Sequence, residues 1–93
     1  MVVGVGVWEL LLPGCQTLKD KRRVVASLKA RLHHQFNVSA AETNYQDLVQ
    51  RAEIAVCVVS NDRRHAHAVL LSADRLVADC GEARVLEHRT VFY

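Results

Sequence analysis

The chain has 93 residues, with twelve Lys and Arg against ten Asp and Glu, for a formal net charge of +2. That length suits one domain spanning residues 1–93, and the near-balance excludes a histone-like polycation. Apolar residues make up 51%, which excludes a disordered chain, and aromatics at 5% leave an aliphatic core.

Residues 2–12 are rich in Val and Leu and end at Pro13-Gly14, which reads as a strand with a breaker after it. One parity carries Val3, Val5, Val7 and Leu11. The other carries Gly4, Gly6, Trp8 and Leu10. Residues 17–35 read as a helix. Thr17 caps it, with Asp20 completing a capping box, and Leu18, Val25, Leu28 and Leu32 form its apolar stripe. Residues 36–43 form a weaker, alanine-containing strand. Residues 44–51 are polar without a clear period, which fits a loop or a helical turn.

Residues 52–60 are the strongest strand. Ile54, Val56 and Val58 lie on one face and Ala55, Cys57 and Val59 on the other, as expected of a central strand. Ser60-Asn61-Asp62 offers caps for a second helix, whose stripe runs Ala66, Val69, Leu70, Ala73, Leu76, Val77, Cys80. Gly81 is its expected C′ residue. Residues 83–93 close with a strand. The order β-α-β-β-α-β predicts an α+β ferredoxin-like sandwich, a four-stranded antiparallel sheet with two helices on one face. The other face is then open unless a partner covers it.

Cys15, Cys57 and Cys80 lack paired spacing, which argues against a disulfide framework and for a reducing compartment. Glu9 interrupts the first apolar run, no basic segment precedes it, and no stretch approaches the ~20 apolar residues of a membrane span. The expectation is a cytoplasmic protein with no membrane contact.

Thr17-Leu18-Lys19-Asp20-Lys21-Arg22 is similar to the S-L-K-E-K-R helix start of the YlxP-like bacterial family, a domain of unknown function. Residues 36–42 (FNVSAAE) and 45–52 (YQDLVQRA) resemble that family's second signature. Thr17 and Asp20 replace Ser and Glu with the same capping chemistry, and Val49 stands where Trp is common. The resemblance spans nearly the whole chain. It implies a ferredoxin-like fold, a bacterial cytosolic setting and genomic company with translation and ribosome-maturation genes. It supplies no activity and no catalytic residues.

Lys19, Lys21, Arg22 and Arg23 crowd the start of the first helix, the positive end of its dipole, where cations are mildly unfavourable. One reading is a phosphate site helped by free backbone N–H groups. The plainer one is a solvated helix face. Gln46, Asp47, Gln50 and Arg51 are secondary binding candidates in a connection between strands. Their plainer roles are an Asp47 turn cap and an Arg51 ion pair.

The open sheet face, lined by Gly4, Gly6, Trp8 and Leu10 with Ala55, Cys57 and Val59 if the other parity packs on the helices, is too apolar to stay wet. It suits a homodimer or a covering loop better than base stacking, which needs aromatics that residues 54–60 lack. His33/His34 and His65/His67 have no metal-ligand spacing, so neither metal nor cofactor is expected. Cys15, beside the basic helix start, is the one cysteine with a route to a raised thiolate fraction. No acid–base pair or triad emerges. The reading is a non-enzymatic RNA- or ribosome-associated module. The alternative is a homo-oligomeric regulatory or scaffold domain that binds a small anion or a protein.

Overall fold

A computed structural model describes residues 1–93. The elements are β1 (Val2–Leu11), α1 (Leu18–Gln35), β2 (Ser39–Asn44), β3 (Arg51–Ser60), α2 (Arg63–Ala78) and β4 (Arg84–Phe92). The strands form one antiparallel sheet in the order β2-β3-β1-β4, with both helices packed on one face. This is the ferredoxin-like topology.

The parity of β1 is the reverse of the one that would put Trp8 on the open face. Gly4, Gly6, Trp8 and Leu10 are buried beneath the helices, in register with Val58, Val56, Ile54 and Ala52 of β3. Val3, Val5 and Val7 face outward. The two glycines explain the choice. A Cβ on Gly4 would lie 3.1 Å from Leu70, and one on Gly6 only 2.6 Å from the Trp8 ring. The strand carries no side chain where α2 and the indole come closest. The core is otherwise aliphatic: Leu10, Leu12, Val24, Leu28, Leu32, Ile54, Leu70 and Val77 are all buried.

Other boundaries shift for local reasons. β2 begins at Ser39, because Phe36 closes α1 by donating its N–H to the Leu32 carbonyl. Residue Gly81 is not a left-handed cap, since no glycine has positive φ. α2 ends on Asp79 in right-handed geometry, its N–H on the Arg75 carbonyl. β4 carries a bulge opposite Glu9 and Leu10. No helix is long and apolar enough to cross a membrane.

Candidate functional site

The start of α1 is built by the expected capping box. The Asp20 N–H donates to Thr17 Oγ1 at 3.1 Å. The Asp20 carboxylate accepts from the backbone N–H groups of Gln16 at 3.1 Å and Thr17 at 3.2 Å. The N–H of Gln16, then the hydroxyl and the N–H of Thr17, hold the Asp20 carboxyl below its ordinary range, with Arg23 adding positive charge. The N–H groups of Gln16, Thr17 and Asp20 are therefore occupied within the cap itself.

A carboxyl whose pKa is lowered on folding stabilises the native state above its unfolded pKa, and loses that contribution as pH falls through the native value. Asp20→Asn should therefore be less stable than wild type at neutral pH. The gap should close in acid, below about pH 4. Urea melts across that window measure it; a gap independent of pH would sink the assignment.

Of the four cations expected to form an anion site, three do point outward: Lys19, Arg22 and Arg23 are exposed. Lys21 does not, and its place in the patch is corrected. It is 1% exposed, and its ammonium donates to the Tyr45 carbonyl and pairs with Glu42 at 2.9 Å. Leu18, Lys21, Val25, Leu28 and Leu32 share one helical stripe, so position 21 must face inward.

The segment from Tyr45 to Arg51 is stitched to this same end of the molecule. Tyr45 has φ 64, a left-handed backbone rare for an aromatic residue. Its N–H donates to Asn44 Oδ1, its carbonyl accepts from Lys21, and its hydroxyl donates to Glu9 at 2.9 Å. Arg51 pairs with the same Glu9 carboxylate and lies 5.0 Å from the Tyr45 ring centre. Gln50 donates to the carbonyl of Cys15 at 3.1 Å, and Gln46 donates weakly to that of Glu42. Gln46, Gln50 and Arg51 thus hold the loop in place. Asp47 is exposed and makes no hydrogen bond or ion pair. Val49 packs partly on the core.

The helix start and this loop therefore adjoin, through Lys21 to Tyr45 and through Gln50 to Cys15. A cleft of about 390 Å³ beside them is lined by Cys15, Asp20, Arg23 and Glu82 among others. Asp47 and Arg51 do not line it. The basic helix start does not raise the thiolate fraction of Cys15. Burial, then the nearby Asp20 and Glu82 charges, push its thiol up from the ordinary value despite Arg23 and Lys21. A protonated, buried thiol is a weak nucleophile, so Cys15 should react with iodoacetamide far more slowly than unfolded chain does, by peptide mass spectrometry.

The wider charge distribution is sharply divided. The two helices carry nine of the twelve Lys and Arg but only Asp20 and Asp74 of the ten acids, a formal +7, nine less two. Strands and connections carry the remaining three cations and eight acids, a formal −5. Arg22, Arg23, Arg31, Arg63, Arg64 and Arg75 are all exposed on the helical layer, as are four of the five histidines.

One cluster, around the buried Trp8, had no sequence signal. The Trp8 indole N–H donates to Asp74 at 2.8 Å, and the ring stacks on His88 at 4.6 Å, 5° from parallel. Its members lie on β1, α2 and β4, and no local spacing connects them.

A family model described as "Protein of unknown function (DUF503)" matches residues 3–90. The "Uncharacterized protein YlxP" of Bacillus subtilis is 34% identical over 62 residues, 67% of each chain. Among solved structures, the de novo designed protein Foldit4 aligns with 98% of this chain and 97% of its own, at 15% identity and a TM-score of 0.52. The de novo designed protein LFR1 1 with ferredoxin fold covers 100% of this chain and 83% of its own, at 14% identity and a TM-score of 0.46. At 15% identity, the likeness to Foldit4 speaks to fold alone.

Proposed function

The chain belongs to the DUF503 family of unknown function, and from that premise we propose a non-enzymatic RNA- or ribosome-associated module, acting in the cytoplasm, that grips phosphates with its helical layer. The observation that carries this reading is the separation of charge. The two helices carry a formal +7, lowered at the ends of α2 by its capping residues Asp62 and Asp79, against an acidic balance over the strands and connections, and this gives a near-neutral protein an uneven field. Such a field steers a polyanion onto the helices.

Lys19, Arg22 and Arg23 are the primary contacts, exposed and close together on the first turns of α1. Lys21 acts behind them as an internal strut. The Gln46–Arg51 loop borders the patch and contributes its exposed Gln46 and Gln50 edges as secondary contacts. The sheet plays no part in base stacking. Trp8 is fully buried, and the outward positions of β1 and β3 hold no aromatic residue. Recognition by phosphate geometry fits structured RNA better than splayed single strands.

The test is fluorescence anisotropy with labelled structured ribosomal RNA, titrated with salt. Replacing Lys19, Arg22 and Arg23 with Gln should weaken binding about tenfold or more and lower the salt slope by about 2 to 3. Unchanged affinity and slope in that variant, or no binding by wild type at low salt, would overturn the proposal.

A further inference from the structure

The start of α2 carries a second cationic cluster, at the other end of the molecule from Lys19, Arg22 and Arg23. Arg63, Arg64 and His67 are exposed, and with Phe92 they line a cleft of about 350 Å³. The Arg63 guanidinium lies over the Phe92 ring, 4.6 Å from its centre. The His67 ring, one helical turn on, stands tilted to the same ring at 6.1 Å. Gly4 of β1 makes room for Phe92, since a Cβ there would lie 3.2 Å from the ring. A guanidinium held on a ring face keeps its N–H edges free for an acceptor. Neither arginine forms an ion pair, nor does His67.

Acids are scarce at this end. Val2 pairs with Ser60 and Gly4 with Phe92, so residues 1–8, 54–73 and 88–93 build it. Their only acidic side chain is Asp62, which lies outside the cleft lining and caps α2 by accepting the Arg64 N–H at 2.9 Å. The cluster is thus a set of free side chains, not a bare helix terminus. At the α1 end, by contrast, Asp20 and Glu82 share a cleft with Arg23.

On the RNA reading proposed above, on which this rests, we infer that Arg63, Arg64 and His67 form a second phosphate site, which holds the far end of the same RNA that lies on Lys19, Arg22 and Arg23. β1 and β3 are antiparallel, with α1 following the Leu11 end of β1 and α2 the Ser60 end of β3. The nine steps from Val2 to Leu11, at roughly 3.3 Å each, put the two helix starts about 30 Å apart along the strands. The molecule is 42 Å long, so both sites fit on it. No mononucleotide reaches that far, whereas a duplex covers it in about one turn, roughly 34 Å in DNA. The ligand is therefore a duplex stem and not a small phosphate.

The test is fluorescence anisotropy, titrated with salt, on two RNA hairpins. One has a stem of about 16 base pairs, the span of a two-groove duplex reader, and the other about a third of that. The variant Arg63→Gln/Arg64→Gln/His67→Gln changes only exposed side chains and keeps the Asp62 cap. On the long stem it should bind about tenfold more weakly, with a salt slope lower by about 2. On the short stem, which cannot reach both sites, it should lose no more than about twofold. Phe92→Leu should weaken long-stem binding about threefold with the salt slope unchanged, and Phe92→Tyr should restore it. If the α2 variant binds the long stem like wild type while the Lys19/Arg22/Arg23 variant does not, the second site is overturned and the first stands. An equal loss on both stems overturns the span and marks a local site for a small phosphate. Should wild type bind neither stem, the RNA reading itself fails and the second site with it.

Discussion

Lys21→Met should lower the unfolding free energy by about 3 kcal/mol, the low end of what breaking a buried ion pair costs. The apolar stem is kept, so packing is not the cause. The loss comes from Glu42, left 18% exposed with no cation, and from the Tyr45 carbonyl, which retains only the Leu48 N–H. For a domain of this size the melting midpoint should fall by more than about 10 °C. The left-handed turn at Tyr45 loses its anchor, so amide exchange at Leu48 should accelerate beyond the global change. The companion variant Lys21→Met/Glu42→Leu should recover most of the loss, since it removes the stranded charge. Calorimetry on the three proteins decides it. If the double variant melts as low as the single one, the carboxylate is not the source.

Trp8→Ala should cost about 3–5 kcal/mol, as expected for emptying a buried aromatic site. Trp8 is 0% exposed and joins β1 to both α2 and β4 through Asp74 and His88. A sharper test uses Gly6. Its absent Cβ would meet two atoms of the indole, at 2.6 and 2.9 Å. Gly6→Ala should therefore destabilise wild type by about 1–3 kcal/mol through overpacking. In the Trp8→Ala background the same change should cost far less, because the obstructing ring is gone. Urea denaturation of the four proteins closes the cycle. Equal penalties in both backgrounds would show that the glycine is required for some other reason.

Much of the fold was legible because local chemistry specified it. Thr17 and Asp20 announced the start of α1, and the Ala66–Val77 stripe announced the buried face of α2. The parity of β1 was not legible. Both of its faces are apolar, and the glycines on the buried side look like a weak face until Leu70 and the indole are seen to need the space. Lys21 occupies a position on the helical stripe between Leu18 and Val25, so period alone argued for burial against charge. Its partners, the Glu42 carboxylate and the Tyr45 carbonyl, lie on a distant strand and loop that no spacing rule connects to α1. The division of charge between helices and strands was written in the sequence throughout. It became visible only when helix boundaries were used to sort the residues.

The strand order also sets a schedule for folding. β1 is interior to the sheet, yet both its neighbours come much later in the chain: Val5 pairs with Cys57 on one side and Val91 on the other. During synthesis the first strand to emerge waits for the last. Until residues 84–92 leave the ribosome, β1 presents a bare hydrogen-bonding edge, Phe92 does not shield Gly4, and His88 does not cover Trp8. Pairing of such long range slows folding and leaves the nascent chain prone to aggregate. The final strand is thus the latch of the domain, and a chain stalled before it has an edge open to the wrong partner.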